Sequence, residues 1–234
     1  MGASQYGAFL QLVDSKCLVV GGGTIAVRKI QGLVETGAHL VIVSPELDPR
    51  LVDVLLMGTH THIKRCYEAH DVLGMRLVFA ATNDADVNAR VAQDANAQGI
   101  LVNVADNPSL CSFMVPSVIA RGDVSIAIGS AGQSPALTRA LKQYLEPLLP
   151  IAIGALARYL SSLREQILSL HLPEHERHEW LKRLISVEML EAWRQGDHTK
   201  LEATIQQVCN QYGLVVAPLP KAIDEYHHSK QIVE

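Results

Sequence analysis

Residues 16–26 read Lys-Cys-Leu-Val-Val-Gly-Gly-Gly-Thr-Ile-Ala, and this stretch decides the fold. Lys16 to Val20 is a short β-branched run suited to the inside of a sheet, and from Ile25 onward apolar residues return with helical period. Between them, Val19-Val20-Gly21-Gly22-Gly23-Thr24-Ile25-Ala26 has the form G-x-G-x-x-A at the point where a strand turns into a helix. Gly21 permits the tight turn, Gly23 lets the backbone approach a pyrophosphate, and Ala26 lets the helix pack close to the strand. The helix N-terminus adds amide donors and the positive end of its dipole. Taken alone, these glycines also suit a plain strand-to-helix turn; with a second strand following in register, they point to dinucleotide binding in a βαβ unit.

Working outward, further runs predict strands at His39 to Val43, 61–64, 77–81, 100–104 and Val124 to Ile128, and helices at 25–36, 48–57 and 84–98, the last capped by Asn83 or Asp84. Such alternation makes a parallel sheet covered by helices, and each crossover is long enough for a right-handed unit. After Pro116 the pattern changes to a short helix reaching about Ala120, the strand Val-Ser-Ile-Ala-Ile, the turn Gly-Ser-Ala-Gly-Gln-Ser-Pro and an amphipathic helix over 136–149. From Ile151 the chain is helical in period, apart from Leu214 to Ala217, which fits a strand or a buried loop. The expected class is α/β, with a Rossmann-type parallel sheet domain over 1–115, a small α/β module over 116–150 and a helical C-terminal domain over 151–234. One strand and one helix are too little for an independent core, so the middle module is expected to pair with a second copy in a two-fold homodimer.

The 234 residues are 48% hydrophobic and 19% charged, enough for a sizeable core. Twenty Lys plus Arg against 24 Asp plus Glu give a net charge of -4, so no diffuse basic surface invites nucleic acid. No apolar run reaches about 18 residues, and Met1 to Lys16 lacks the basic-then-apolar order of a secretion signal, so no membrane partner is expected and the location read is cytoplasmic. Cys17, Cys66, Cys111 and Cys209 stand far apart, without a C-x-x-C pair, and are read as reduced thiols. His171, His175 and His178 have spacing for one helical face, but Pro173 lies among them; they are read as a solvated helix start, and no metal site is assigned.

Other candidate residues follow predicted strand ends. Ser44-Pro45-Glu46 stands where an acidic residue would accept ribose hydroxyls; Glu46 or the Ser44 hydroxyl is the candidate, and Glu46 would disfavour a 2′-phosphate, although Arg50 lies near in sequence. Thr82 and Asn83, within Ala80-Ala81-Thr82-Asn83-Asp84, end another strand on the same edge, where the sequence also suits helix capping. Asp106, within Val102-Asn103-Val104-Ala105-Asp106-Asn107-Pro108, would place a proton acceptor beside the cofactor crevice, whereas local sequence alone favours a turn. Ser130 to Pro135 is a small-residue loop before a helix carrying Arg139 and Lys142, fit for an anion or simply for a cap.

The blocks Gly-Gly-Gly-Thr-Ile-Ala-Val-Arg-Lys from Gly21, Ala-Ala-Thr-Asn-Asp from Ala80, and the whole run from Val102 to Lys142 resemble the precorrin-2 dehydrogenase and sirohydrochlorin ferrochelatase family, the siroheme-making module. The resemblance covers about residues 8 to 160. It implies NAD as cofactor in the N-terminal domain, dimerisation through the middle module, which also contributes to the substrate site, and removal of two hydrogens from precorrin-2 to give sirohydrochlorin; some members also insert ferrous iron. It further implies that the essential aspartate falls on Asp106, cofactor contacts after the glycine turn of Gly21, Gly22 and Gly23 on Thr24 and Ile25 and after the second strand on Pro45 and Glu46, and a serine near the tetrapyrrole, phosphorylated in some members, on Ser130. Ser130-Ala131-Gly132 departs from the more usual Ser/Thr-Gly-Gly, and the C-terminal region matches less well. A polycarboxylate substrate needs local cations: Arg121, Arg139 and Lys142 are candidates, while Arg28 and Lys29 are each read as solvated helix face. The rival reading, a dinucleotide-sensing module without turnover, has no use for Asp106 or for the run from Asn103 to Arg139.

Overall fold

The computed structural model describes residues 5–170 and 172–219. They form two compact units: the chain up to Val115 together with Gly129–Ser134, and Pro116–Ile128 together with the chain from Pro135 onward.

In the first unit, β1 (Lys16–Val20), β2 (His39–Val43), β3 (Thr61–Ile63), β4 (Leu77–Ala80) and β5 (Leu101–Val104) make one five-stranded sheet ordered β3-β2-β1-β4-β5. Every pairing is parallel; Val20 lies opposite Val43 on one side and Ala80 on the other, and Phe79 opposite Asn103. Strand order reverses at β1, so the ligand crevice of such a sheet opens at the carboxyl ends of β1 and β4. Both faces are covered, which is why Cys17, Leu18, Val19 and Val20 are all buried and the strand reads as an apolar run instead of an alternation. Helix α1 (Thr24–Val34) packs Ala26, Val27, Ile30 and Leu33 against Val19, Leu40, Ile42 and Phe79. On the opposite face lie Val91, Ala92 and Ala95, from the helix spanning Ala85–Ala97, with Leu18, Val20, Val78 and Val102. Each of the larger buried aliphatic chains contributes roughly 1.5–3 kcal/mol.

The helix expected over 48–57 is a 3-10 turn, Pro49–Leu51, running into α2 (Val52–Leu56), because Asp48 and Pro49 cap and start a tighter turn. The helix Ala85–Ala97, α3, is capped by Asp84, which accepts from the Asp86 and Val87 amides at 2.9 and 3.1 Å. Beyond β5 the sheet edge is closed by side chains: the Val102 amide donates to Ser112 Oγ at 2.7 Å and the Val104 amide to Cys111 Sγ at 3.1 Å.

In the second unit the short helix expected after Pro116 is instead a strand, β6 (Ser117–Arg121), paired antiparallel with β7 (Val124–Ile128). The Arg121–Val124 pairing leaves a two-residue loop with Gly122 at φ 59, a glycine-first hairpin loop, and that pairing outweighs the helical reading. Helix α4 (Pro135–Leu145) packs on both strands, with Ser117 Oγ donating to Thr138 Oγ1 at 3.3 Å. Helices α5 (Ile153–Ser169), α6 (Glu174–Arg183), α7 (Val187–Arg194) and α8 (Thr199–Asn210) enclose Leu156, Leu163, Ile167, Trp180, Trp193, Leu201 and Ile205. Residues 214–217 form no strand; Gln166 of α5 hydrogen-bonds both backbone groups of Val215 and Tyr159 donates to the Ala217 carbonyl, replacing a ladder by side chains. His175 and His178 lie on α6, which starts only after Pro173; positions 171, 227 and 228 lie outside the described residues. Among the described residues no three His, Cys, Asp or Glu gather to hold a metal, and no helix is long and apolar enough to cross a membrane.

Arg65 donates to both oxygens of Asp71, at 2.6 and 2.8 Å, and the Glu68 amide adds a third bond at 2.9 Å. Burial pushes the Asp71 carboxyl up, but these donors outweigh it and hold the carboxyl below its ordinary value. The pair's contribution is therefore present above about pH 4 and lost as pH falls through the lowered value. Asp71→Asn is expected to cost about 2 kcal/mol in urea denaturation at neutral pH, and the gap to wild type is expected to close in acid.

Candidate active site

The glycine turn joins three strand ends. Gly21, at φ 114, lies so close to Ala81 that a Cβ would overlap the Ala81 carbonyl. A Cβ on Gly22 would overlap the Glu46 carbonyl and stand 2.8 Å from Ser44 Oγ. The Gly21 amide donates to the Val43 carbonyl at 2.9 Å and the Gly22 carbonyl accepts from the Asp48 amide at 2.8 Å, tying the turn to the end of β2. Gly23 is different: it is the N-cap of α1, extended at φ -89 and ψ -169, has no side-chain cap, and nothing lies within 4 Å of where its Cβ would stand. An open helix N-terminus with uncapped amides beside exposed Thr24 and half-buried Ile25 fits a dinucleotide diphosphate. Gly21 and Gly22 thus bring the loops together, and Gly23 leaves the opening.

At the end of β2, Ser44 is buried; its hydroxyl donates to the Glu46 carbonyl at 2.5 Å, and its carbonyl accepts from His62 Nε2 at 2.9 Å. Ser44 shapes the loop, whereas Pro45 and Glu46 are exposed at the rim. Arg50 reaches back to α1: its guanidinium grips Asp48 at 2.9 and 2.7 Å and donates to Thr24 Oγ1 at 3.3 Å. Hydrogen bonds from the Arg50 side chain and amide hold the Asp48 carboxyl down at about 2.

At the end of β4, Asn88 of α3 anchors Thr82, accepting from its amide at 3.2 Å and its hydroxyl at 2.8 Å while donating to its carbonyl at 3.0 Å; Asn83 is exposed beside it. Asn88 escaped the sequence reading, although a polar residue on the buried face of a helix was its available signal. At the end of β5, Asp106 is exposed and left-handed, at φ 58, a backbone region that Asp and Asn tolerate better than most residues. Buried Asn103 donates to the Phe113 carbonyl at 3.1 Å, seating Phe113 edge-on against Phe79 with ring centroids 5.5 Å apart. Over that Phe79 ring, 5.8 Å from its centre, stands the Lys29 ammonium. Lys29 is half-buried, and burial first, then the charge of Arg28, push its amine below the ordinary lysine value, while Cys111 and Asp106 pull it up. The solvated-face reading of Lys29 is therefore corrected; Arg28 is exposed.

Ser130 belongs to the first unit, where its hydroxyl accepts from the Ser134 amide at 3.0 Å. Ala131 and Gly132 follow at φ 50 and 77, so the residue that departs from the usual Gly-Gly pattern occupies a backbone that glycine adopts more easily. Arg121 and Arg139 belong to the second unit; Arg121 pairs with Glu146 at 3.2 Å, and Arg139 is exposed on α4.

Comparison with known proteins agrees with this architecture. A family model described as putative NAD(P)-binding matches residues 8–117. The siroheme synthase of Methylobacillus flagellatus is 43% identical over 159 residues, covering 68% of this chain and 34% of that protein. The siroheme synthase of Chromobacterium violaceum is 37% identical over 199 residues, covering 85% and 42%. The chain therefore spans less than half the length of these curated relatives. The solved structure of SirC, precorrin-2 dehydrogenase, superposes with a TM-score of 0.73 at 30% identity, covering 88% of this chain and 100% of that one.

The two kinds of glycine are separable by mutation. Gly23→Asp places a carboxylate in open space at the diphosphate position, so calorimetry should show NAD binding lost with thermal stability kept. Gly22→Ala must displace the Glu46 loop and is expected to cost about 1–3 kcal/mol of stability.

Proposed function

Because the chain belongs to the precorrin-2 dehydrogenase and siroheme synthase family, we propose that it oxidises precorrin-2 to sirohydrochlorin with NAD, a step of siroheme biosynthesis. The observation that carries this reading is the meeting, on one sheet edge, of an open diphosphate turn after β1 and an exposed carboxylate, Asp106, after β5. Bound NAD supplies the hydride acceptor. The protein's own part is placement and proton transfer: Gly21, Gly22, Gly23, Thr24 and Ile25 seat the diphosphate, Pro45 and Glu46 border the ribose with Ser44 beneath, and Thr82 and Asn83 line the crevice. As a carbon-bound hydrogen leaves with its electron pair, the Asp106 carboxylate takes the companion proton, and the carbon-carbon double bond forms. NAD is preferred over NADP because Glu46 repels a 2′-phosphate and the charge of Arg50 is already matched by Asp48.

The middle segment, 116–150, is read as serving dimerisation and substrate binding, with Arg121, Arg139 and Ser130 each a candidate contact for the anionic macrocycle. Leu141, Tyr144 and Leu148 expose an apolar row along α4 and the turn after it, with Val118 exposed on β6. A second copy of the chain is the occupant that suits a two-stranded hairpin lacking a core of its own. All four cysteines are free, an arrangement that suits the cytoplasm.

Purified protein given precorrin-2 and NAD is expected to form NADH and sirohydrochlorin, faster than with NADP. Asp106→Asn should keep ligand binding and lose about a hundredfold or more in rate. Asn keeps the shape and tolerates the left-handed backbone, so a variant oxidising precorrin-2 at wild-type rate would remove Asp106 from the mechanism. Light scattering at micromolar concentration should show a dimer, and Tyr144→Asp should shift it toward monomer; a wild-type monomer contradicts the assembly.

A further inference from the structure

Lys29 is a half-buried cation that the proposed function leaves without a role. Among the described residues Lys29 makes no hydrogen bond and no ion pair; its ammonium has only the face of Phe79. Side chains on a helix lean toward its N-terminus, and Lys29 lies five residues into α1, so its stem runs back toward the carboxyl edge of the sheet. Phe79 is the last residue but one of β4, lies opposite Asn103 in register, and Asn103 leads directly to the Asp106 loop. The cation therefore stands on the β4–β5 side of the crevice, in electrostatic reach of Asp106 and Cys111, and the diphosphate opening at Gly23 lies at the end of β1.

We propose that Lys29 anchors the substrate beside Asp106, its ammonium receiving one carboxylate of the polyanionic tetrapyrrole. The proposal rests on the dehydrogenase reading and adds to it a positional role. A polycarboxylate brought against Asp106 meets a like charge; a nearby ammonium that forms no ion pair offsets that repulsion and fixes which edge of the macrocycle faces the cofactor. The lowered basicity of the free amine agrees with a site completed by an incoming anion. Lys suits this place better than Arg, because a point charge on an apolar stem can lie along Phe79 and still turn its donors outward.

The test uses the full chain with Lys29→Met, which keeps the stem over Phe79 and removes the charge, with Lys29→Arg as the charge-retaining control. Sirohydrochlorin is titrated without cofactor and followed by its absorbance, and NAD is titrated separately by calorimetry. The Met variant is expected to bind sirohydrochlorin roughly ten- to a hundredfold more weakly and to raise KM for precorrin-2 more than it lowers kcat, with Arg restoring most of the affinity and NAD binding unchanged. Unchanged tetrapyrrole affinity in the Met variant overturns the proposal, as does a loss of NAD affinity in its place. If the Met variant does not fold, the Arg variant decides: near wild-type tetrapyrrole affinity with raised salt sensitivity supports the anchor, and affinity lost alongside NAD binding refutes it. Wild-type protein that binds sirohydrochlorin but never oxidises precorrin-2 would defeat the dehydrogenase reading and leave the anchoring role to be judged by the binding titrations.

Discussion

Two missing side chains hold the first unit's active edge together. With no Cβ at Gly21 or Gly22, the turn after β1 can lie against the carbonyls of Ala81 and Glu46, so the ends of β4, β1 and β2 converge within backbone contact. Everything that follows inherits that spacing: Asp48 bonds to the turn, Arg50 bonds to Asp48 and Thr24, and α1 starts directly from Gly23. The helix then delivers Ala26 and Ile30 to the sheet and Lys29 to Phe79.

The same edge is stiffened by polar residues that face inward. Asn88 fixes the loop after β4 through three hydrogen bonds, and Asn103 fixes Phe113 beside β4. Both are buried amides with bonded partners, so neither carries the cost of an unsatisfied polar group. Asp106 stands exposed at the end of β5, the strand that carries buried Asn103.

Much of this was legible in the chain itself. Lys16–Val20 and His39–Val43 match their predicted limits because buried parallel strands announce themselves as nearly continuous apolar runs, here Cys17 to Val20 and Leu40 to Val43. The fold of the turn was legible for the same reason: glycine spacing, strand and helix agreed. Ser117–Arg121 was not, since its partner strand lies across a two-residue loop and pairing is a tertiary fact that a propensity window does not see. For Lys29 the sequence suggests a solvated position because a lone lysine on a helix usually is solvated; its place over Phe79 depends on the packing of α1 against β4. Ser44 follows β2 as the sequence suggests, but the direction of its hydroxyl depends on the carbonyl of Glu46, two residues on.

Gly154 near the start of α5 faces Gly122 at the hairpin turn; a Cβ there would stand 2.9 Å from the Gly122 Cα, and Arg158 reaches Asp123 at 3.1 Å. Helix and hairpin therefore touch main chain to main chain, with no side-chain layer to act as a lubricated seam. A nick in the peptide just ahead of α5 would break the covalent path yet leave the two fragments mated, and reassembly from separately expressed pieces becomes feasible at that point. A larger residue at 154 would do the opposite, keeping the chain continuous while prising the mated surfaces apart.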